Sequence, residues 1–186
     1  MFEYQINENL SLKLLEKHHA KADFECISHN RTHLKKWLPW LNTTTEVSDV
    51  ENFIDHTLRM FVKGTDLTMG IWVASEFAGV ISLMDINKNH QNASIGYWLS
   101  ESHGGQGIMT LACEAMLRHA FEELALHRVE IRCAEKNVKS GAIPERLGFV
   151  NEGRIRDAEY LYDHFVTHVV YGMLKTEWET RSNHKK

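Results

Sequence analysis

The chain has 186 residues, 43% hydrophobic and 25% charged, a balance that excludes disorder as its main state and suits one domain rather than several. Its 21 basic and 25 acidic residues leave a formal charge of −4, with 12 histidines able to shift it below neutral pH; this argues against a dedicated nucleic-acid binder. A chain of this size buries about 70% of its unfolded surface and needs no disulfide or metal to hold it together.

Residues 10–15 read as a short first strand. Residues 20–38 are helix-like, with Phe24, Ile27, Leu34 and Leu38 as inward positions, until Pro39 disfavours helix at Leu38. Trp37-Leu38-Pro39-Trp40 stands at that break, either as a hydrophobic plug or as the wall of a pocket. Residues 42–45 form a loop. Ser48 and Glu51 match a capping box, S-x-x-E, before Val50, Phe53, Ile54, Leu58 and Phe61 at helical spacing. Lys63-Gly64 is a helix stop. Residues 69–74 and 77–86 are two strands about a tight turn at Ser75-Glu76, and 87–92 is a polar turn. Residues 94–99 are a further strand with Ile95, Tyr97 and Leu99 on one face; Gly96 within it marks a bulge or a close backbone approach.

Glu101-Ser102-His103-Gly104-Gly105-Gln106-Gly107 follows, and residues 108–126 are a strong helix with Met109, Ala112, Met116, Ala120 and Leu124 on one stripe. Glu114, Arg118 and Glu122 on its other side are spaced for i,i+4 pairs. Residues 127–134 alternate as a strand, 141–147 are a short helix ending at Gly148, and 150–156 and 165–174 are the last strands. Strands run together at both ends with helices between, an α+β pattern with a mixed sheet. The domain spans residues 1–175, and the polar tail 176–186 is expected to fray.

Cys26, Cys113 and Cys133 cannot all pair in one chain and form no CxxC, which points to reduced thiols and a cytoplasmic protein. Residues 1–10 carry acids and no apolar run, so no signal peptide is expected, and no run of 18 apolar residues suggests a membrane span or partner. His18-His19, His29 with His33, and His164 with His168 lack a completing ligand set, so no metal is expected.

The glycine segment joins a strand to a helix start. Glycines admit close approach and positive φ, and free N–H groups at a helix start favour phosphate. Gly105, Gln106, Gly107, Ile108 and Met109 therefore make a candidate pyrophosphate cradle, or else a ligand-free glycine turn. The segment is neither a P-loop nor a dinucleotide fingerprint.

The ordered set of strand, G-x-G, long helix, alternating strand, Asn137-Val138-Lys139-Ser140 and Arg146-Leu147-Gly148-Phe149 resembles the GNAT acetyltransferase superfamily. Gly105 and Gly107 match the small positions of its phosphate loop, while Ser102 stands where Gln or Arg is usual. Gly107-Ile108-Met109-Thr110 before an alanine-rich helix, and the early Trp37-Leu38-Pro39-Trp40, resemble the RimJ/RimL-type branch of ribosomal-protein N-terminal acetyltransferases, which includes serine acetyltransferases. The likeness runs over residues 10–174.

This resemblance implies a mostly antiparallel sheet, splayed in the middle, with acetyl-coenzyme A in the opening between 94–99 and 127–134. A bulge at Gly96 would help splay the strands, with Tyr97, Trp98 and Leu99 lining the cleft. Leu99 and Ser100 would offer backbone groups to the coenzyme, and Asn137 would hydrogen-bond its pantetheine arm, or simply end a turn. Glu159, in the connection between the last two strands, matches the general base; its alternative is a solvated loop glutamate. Ser140 matches the donor to the leaving thiolate, or caps the 141–147 helix. Tyr160 and Tyr162 are other donors, and Trp37, Trp40 and Tyr160 are candidates to touch the acceptor. Cys113 and Cys133 read as buried thiols.

The acceptor implied is a protein N-terminus, with a serine-starting ribosomal protein foremost. An α-amine of reference pKa ~7.8 is roughly a tenth neutral at pH 7, so modest base assistance suffices. A small amine such as an antibiotic or polyamine is the rival acceptor. A coenzyme A-binding protein without useful turnover is the non-enzymatic reading. Self-association into a homo-oligomer is left open.

Overall fold

The computed structural model of the chain describes residues 2–184. The strands are β1 (Glu3–Asn7), β2 (Leu10–Leu14), β3 (Leu67–Val73), β4 (Glu76–Asn87), β5 (Asn92–Leu99), β6 (Arg128–Ala134), β7 (Val150–Leu161) and β8 (His164–Leu174). They form one sheet in the order β1-β2-β3-β4-β5-β6-β8-β7. Every neighbouring pair is antiparallel except β5 and β6. A parallel pair needs a crossover, and α4 (Ile108–Arg118) supplies it. The mixed sheet flanked by helices is the α+β fold that the sequence pattern anticipates.

Two apolar cores lie on opposite faces of the sheet. One packs Ile81, Ile95, Val129 and Ile131 against Ala112, Cys113 and Met116 of α4. The other sets Val80 and Phe77 beneath α1 (Ala20–His29) and α3 (Val47–Lys63), through Ala20, Ile27, Val50 and Ile54. Alternation along β4 serves both cores at once: Ile81 and Leu83 point one way, Val80 and Ser82 the other.

Several local expectations shift. The 20–38 helix breaks at Asn30, whose amide donates to the Cys26 carbonyl at 2.8 Å and competes with the helical bond. A short α2 (Arg31–Leu34) follows, and a 3₁₀ turn at Pro39–Asn42. The helix α3 starts earlier than the Ser48/Glu51 pair suggests: Glu46 is the cap, and Asp49 accepts from the Glu46 N–H at 3.1 Å. That pair has the same reciprocal i,i+3 geometry two residues upstream, and Ser48 donates to the Glu46 carboxylate instead. Phe53 is exposed rather than inward. The β3–β4 turn is Ala74-Ser75, both at positive φ as a primed hairpin turn requires. The strand β1 is an edge strand of alternating exposure with no strong apolar signal.

The long helix ends as α-helix at Arg118 and continues as a π turn over His119–Glu123. On its outer side, Glu114 pairs with Arg181, and Glu122 accepts from the Trp178 indole at 3.3 Å. Both partners come from α6 (Lys175–His184), where a frayed tail was expected. Trp178 is 3% exposed and lies 6.0 Å from the Phe121 ring, so one tryptophan anchors an otherwise polar segment. Lys185 and Lys186 of the predicted tail, like Met1, lie outside the described residues.

Candidate active site

The strand β5 runs into the glycine segment and then α4. Ile108 and Met109 bury their side chains. The first helical hydrogen bond runs from the Leu111 N–H to the Gly107 carbonyl, so the N–H groups of Ile108, Met109 and Thr110 have no partner within the helix. Gly105 and Gly107 sit at φ +77° and +78°, with nothing within 4 Å of where a Cβ would stand. The result is an open, glycine-lined cradle of N–H groups at a helix N-terminus, suited to phosphate. The Gln106 amide closes the loop by donating to the Ser102 carbonyl at 2.9 Å. The Asn30 side chain accepts from the Glu101 N–H at 2.8 Å and ties the loop to α1.

Next to the cradle the sheet opens. Pairing of β5 with β6 covers Asn92–Ile95 and stops at Ile95↔Ile131. The β4–β5 register passes through Ser82↔Gly96 unbroken, so no bulge at Gly96 causes the opening. Gly96 instead meets a close neighbour: a Cβ there would lie 2.7 Å from the Met84 methyl. The opening arises because β6 stays with β8 through Ala134 while β5 stays with β4.

The Ser100 N–H donates to Ala78 at 2.8 Å, and its carbonyl accepts from His103. The Ser100 backbone is thus committed inside the protein rather than offered to a ligand. Antiparallel strands alternate the direction of their backbone groups. Since Ser100 points to β4, Leu99 and Tyr97 point the other way, into the gap that β6 has left.

The helix α5 (Val138–Leu147) begins on the far side of this gap. Its cap is Asn137, whose side-chain oxygen accepts from the Ser140 N–H at 3.3 Å. Ser140 is therefore not the cap, and its hydroxyl is available to donate to the Tyr97 phenol oxygen at 3.3 Å. Tyr97 in turn donates to the Ser140 carbonyl at 3.1 Å. Burial, followed by Cys113, holds the Tyr97 phenol well above its ordinary range, so it stays protonated. Arg146 reaches Thr110 at 2.9 Å and brings a cation to the α4 N-terminus.

Glu159 lies within β7 rather than in a connection, because the hairpin extends to a turn at Tyr162-Asp163. Between Ile155 and Glu159, three residues of β7 stand against Thr167 alone. This bulge sets the Glu159 carboxylate 3.1 Å from His168 Nε2, and His168 is opposite Ala134, the last residue of β6. The Tyr162 phenol donates to the Leu38 carbonyl and joins this hairpin to the Trp37–Trp40 segment.

A cavity of about 690 Å³ lies between α1, α3 and the β3–β4–β5 face, and Trp40, Leu38, Tyr97 and Trp98 line it. Trp40 stands 6.5 Å from Trp98 and packs on the second core, so the segment is both plug and wall. Trp37 does not line this cavity. Tyr160 is 55% exposed and packs its ring at a tilt against Phe165 at 5.0 Å, outside it.

A family model described as an acetyltransferase (GNAT) domain matches residues 9–150. The chain belongs to the GNAT acetyltransferase family. Among its GNAT relatives, the Bacillus subtilis (strain 168) protein YdaF, provisionally named a ribosomal N-acetyltransferase, is 36% identical over 96% of this chain and 98% of its own. The ribosomal-protein-serine acetyltransferase of Escherichia coli (strain K12) is 32% identical over 86% of this chain and 89% of its own. A solved structure of RimL, a ribosomal L7/L12 α-N-protein acetyltransferase in complex with coenzyme A, superposes with a TM-score of 0.89 at 27% identity, covering 92% of this chain and 97% of that one.

Sequence reasoning about this GNAT domain missed the pairing of His168 with Glu159, which only the long β7–β8 hairpin creates. Tyr162, a candidate proton donor in the sequence, donates its phenol proton to the Leu38 carbonyl. Tyr97 is expected at the cleft, but its bond to Ser140 spans 43 residues and leaves no local signal. Among the described residues, no group of three His, Cys, Asp or Glu gathers as metal ligands. No described helix is long and apolar enough to cross a membrane.

Proposed function

We propose that the enzyme transfers acetyl from acetyl-coenzyme A to the N-terminal α-amine of a ribosomal protein that begins with serine. The open β5 edge carries this reading, since it lies between the glycine cradle and the Ser140–Tyr97 pair. The likeness to a serine acetyltransferase and to coenzyme-bound RimL supports the donor and the acceptor class. The three unpaired thiols, Cys113 and Cys133 among them buried, support a cytoplasmic setting.

In this reading the α-amine nitrogen attacks the thioester carbonyl, the C–N bond forms and the C–S bond breaks. Glu159, held by His168, accepts the amine proton directly or through one water. The strand N–H groups that face the gap, of Leu99 or Tyr97, donate to the developing oxyanion. The Ser140 hydroxyl gives its proton to the departing thiolate. Gly105, Gln106, Gly107, Ile108 and Met109 bind pyrophosphate through main-chain N–H groups, and Arg146 adds a cation. The Asn137 side-chain oxygen is committed to its cap, leaving its amide to the pantetheine arm.

The test follows thiol release from acetyl-coenzyme A with a serine-starting peptide, the same peptide with a blocked amine, and a panel of small amines. Turnover with the free peptide above all others is expected. Preference for a small amine would overturn the acceptor, and coenzyme binding with no turnover on any acceptor would overturn the enzyme.

A further inference from the structure

The cavity between α1, α3 and the sheet contains more than the assigned machinery uses. Asp23, Asp49, Asp66 and His56 line it, and no lysine or arginine does. Asp49 is already engaged, accepting from the Thr45 N–H at 2.8 Å in the α3 cap. Asp23 is not. It is 1% exposed, and its Oδ1 is buried with no hydrogen-bond partner. A buried carboxyl without a partner is costly in either protonation state, and far more so when charged. Such a group persists where something outside the fold completes it.

The surroundings narrow what that is. A metal would need several ligands, and none gather among the described residues. The cavity walls are largely apolar, with Ile27, Val50, Val80, Met60 and Met84 among them. Thr68 and Ser82 on the floor hydrogen-bond each other at 3.0 Å, which leaves lone pairs but no free charge. A carbon chain suits the walls, and one cationic head suits the Asp23 Oδ1, the buried acceptor without a partner among the described residues. The cavity also reaches Tyr97 and Trp98 on β5, next to the opening.

We propose that Asp23 is the counter-ion of a subsite in this cavity that takes a protonated aliphatic amine on a flexible carbon chain. The amine is either one end of a free diamine or the lysine side chain of a peptide acceptor. The subsite deepens the acceptor reading and rests on it for the direction in which the ligand lies; binding itself needs no turnover. Burial pushes the Asp23 carboxyl up to about 7, so at pH 8 it is mostly ionised and ready for a cation. The titratable groups around it are Cys26 one turn on in α1 and His56, Asp49 and Asp66 on the cavity wall.

The experiment is calorimetric titration of the full chain at pH 8. One arm compares 1,5-diaminopentane with pentane-1,5-diol. The other compares the peptide Ser-Lys-amide with Ser-norleucine-amide. Both arms are repeated on Asp23→Asn and Asp23→Leu, with acetyl-coenzyme A affinity as the folding control. At least a tenfold preference for the cationic member in one arm is expected, falling to within twofold in both variants. The arm that shows it identifies the source of the amine. Equal affinity for cationic and neutral members in both arms would overturn the subsite, as would a preference kept in both variants. Absence of acetyl transfer would remove the proposed reaction and leave this preference standing.

Discussion

The Ser140 hydroxyl donates to the Tyr97 phenol oxygen at 3.3 Å, and the phenol donates back to the Ser140 carbonyl at 3.1 Å. This reciprocal pair joins the start of α5 to the edge of β5 that β6 leaves unpaired. Replacing Ser140 by alanine removes the donor without disturbing the Asn137 cap, since the cap uses the Ser140 N–H. Ser140→Ala is expected to lower kcat about 10²-fold, in the range of a general acid, with the KM for acetyl-coenzyme A changed less than threefold. Steady-state kinetics checks this.

Glu159 and His168 form a second unit, 3.1 Å apart. Glu159→Gln is expected to lower kcat/KM by about 10²-fold. His168 positions the carboxylate, so His168→Ala should cost less than Glu159→Gln. Unchanged kcat/KM in both variants would remove these roles.

Gly107 holds φ +78° at the start of α4. A β-branched residue is strained there. Gly107→Val should weaken acetyl-coenzyme A binding at least tenfold by calorimetry, with a smaller effect on acceptor KM. Undiminished affinity would argue against the cradle.

Trp178 is 3% exposed and packs on Phe121. Trp178→Ala should destabilise the chain by about 3–5 kcal/mol, the cost of a large core truncation. Urea denaturation measures it.

The Asp23 carboxyl, raised by burial to about 7 from 3.8, makes stability depend on pH. The folded state keeps its proton where the unfolded chain has lost it, so stability is fully present below about pH 4. It falls as pH rises through 7, by at most roughly 4 kcal/mol for a shift of about three units. Asp23→Asn should match the parent near pH 4 and exceed it by about 2–4 kcal/mol at pH 8. An aliphatic amine that binds there should close that difference. Denaturation curves at the two pH values decide it.

The element order and the glycine cradle are legible in the sequence because periodicity and glycine spacing are local signals. The β5 strand falls near its expected place for the same reason, whereas the α5 cap stands at Asn137, three residues before the expected Ser140. The extent of the β7–β8 hairpin is not legible. Residues 157–161 carry mixed polarity, and the bulge opposite Thr167 breaks the alternation that would mark them as strand. That is why Glu159 reads as a loop residue and why its pairing with His168 goes unnoticed. The burial of Trp178 escapes notice too, since a single aromatic in a polar stretch leaves no period. Asp23 shows no signal either, because it looks like any exposed helical acid until α3 and the sheet close over it.

The most direct measurement is the intact mass of a serine-starting peptide after incubation with the enzyme and acetyl-coenzyme A, with fragmentation to locate the added group. One acetyl group on the α-amine, and none on the same peptide when that amine is blocked, is the expected result. Acetyl found only on a lysine side chain, or on no peptide while a small amine is acetylated, would contradict it.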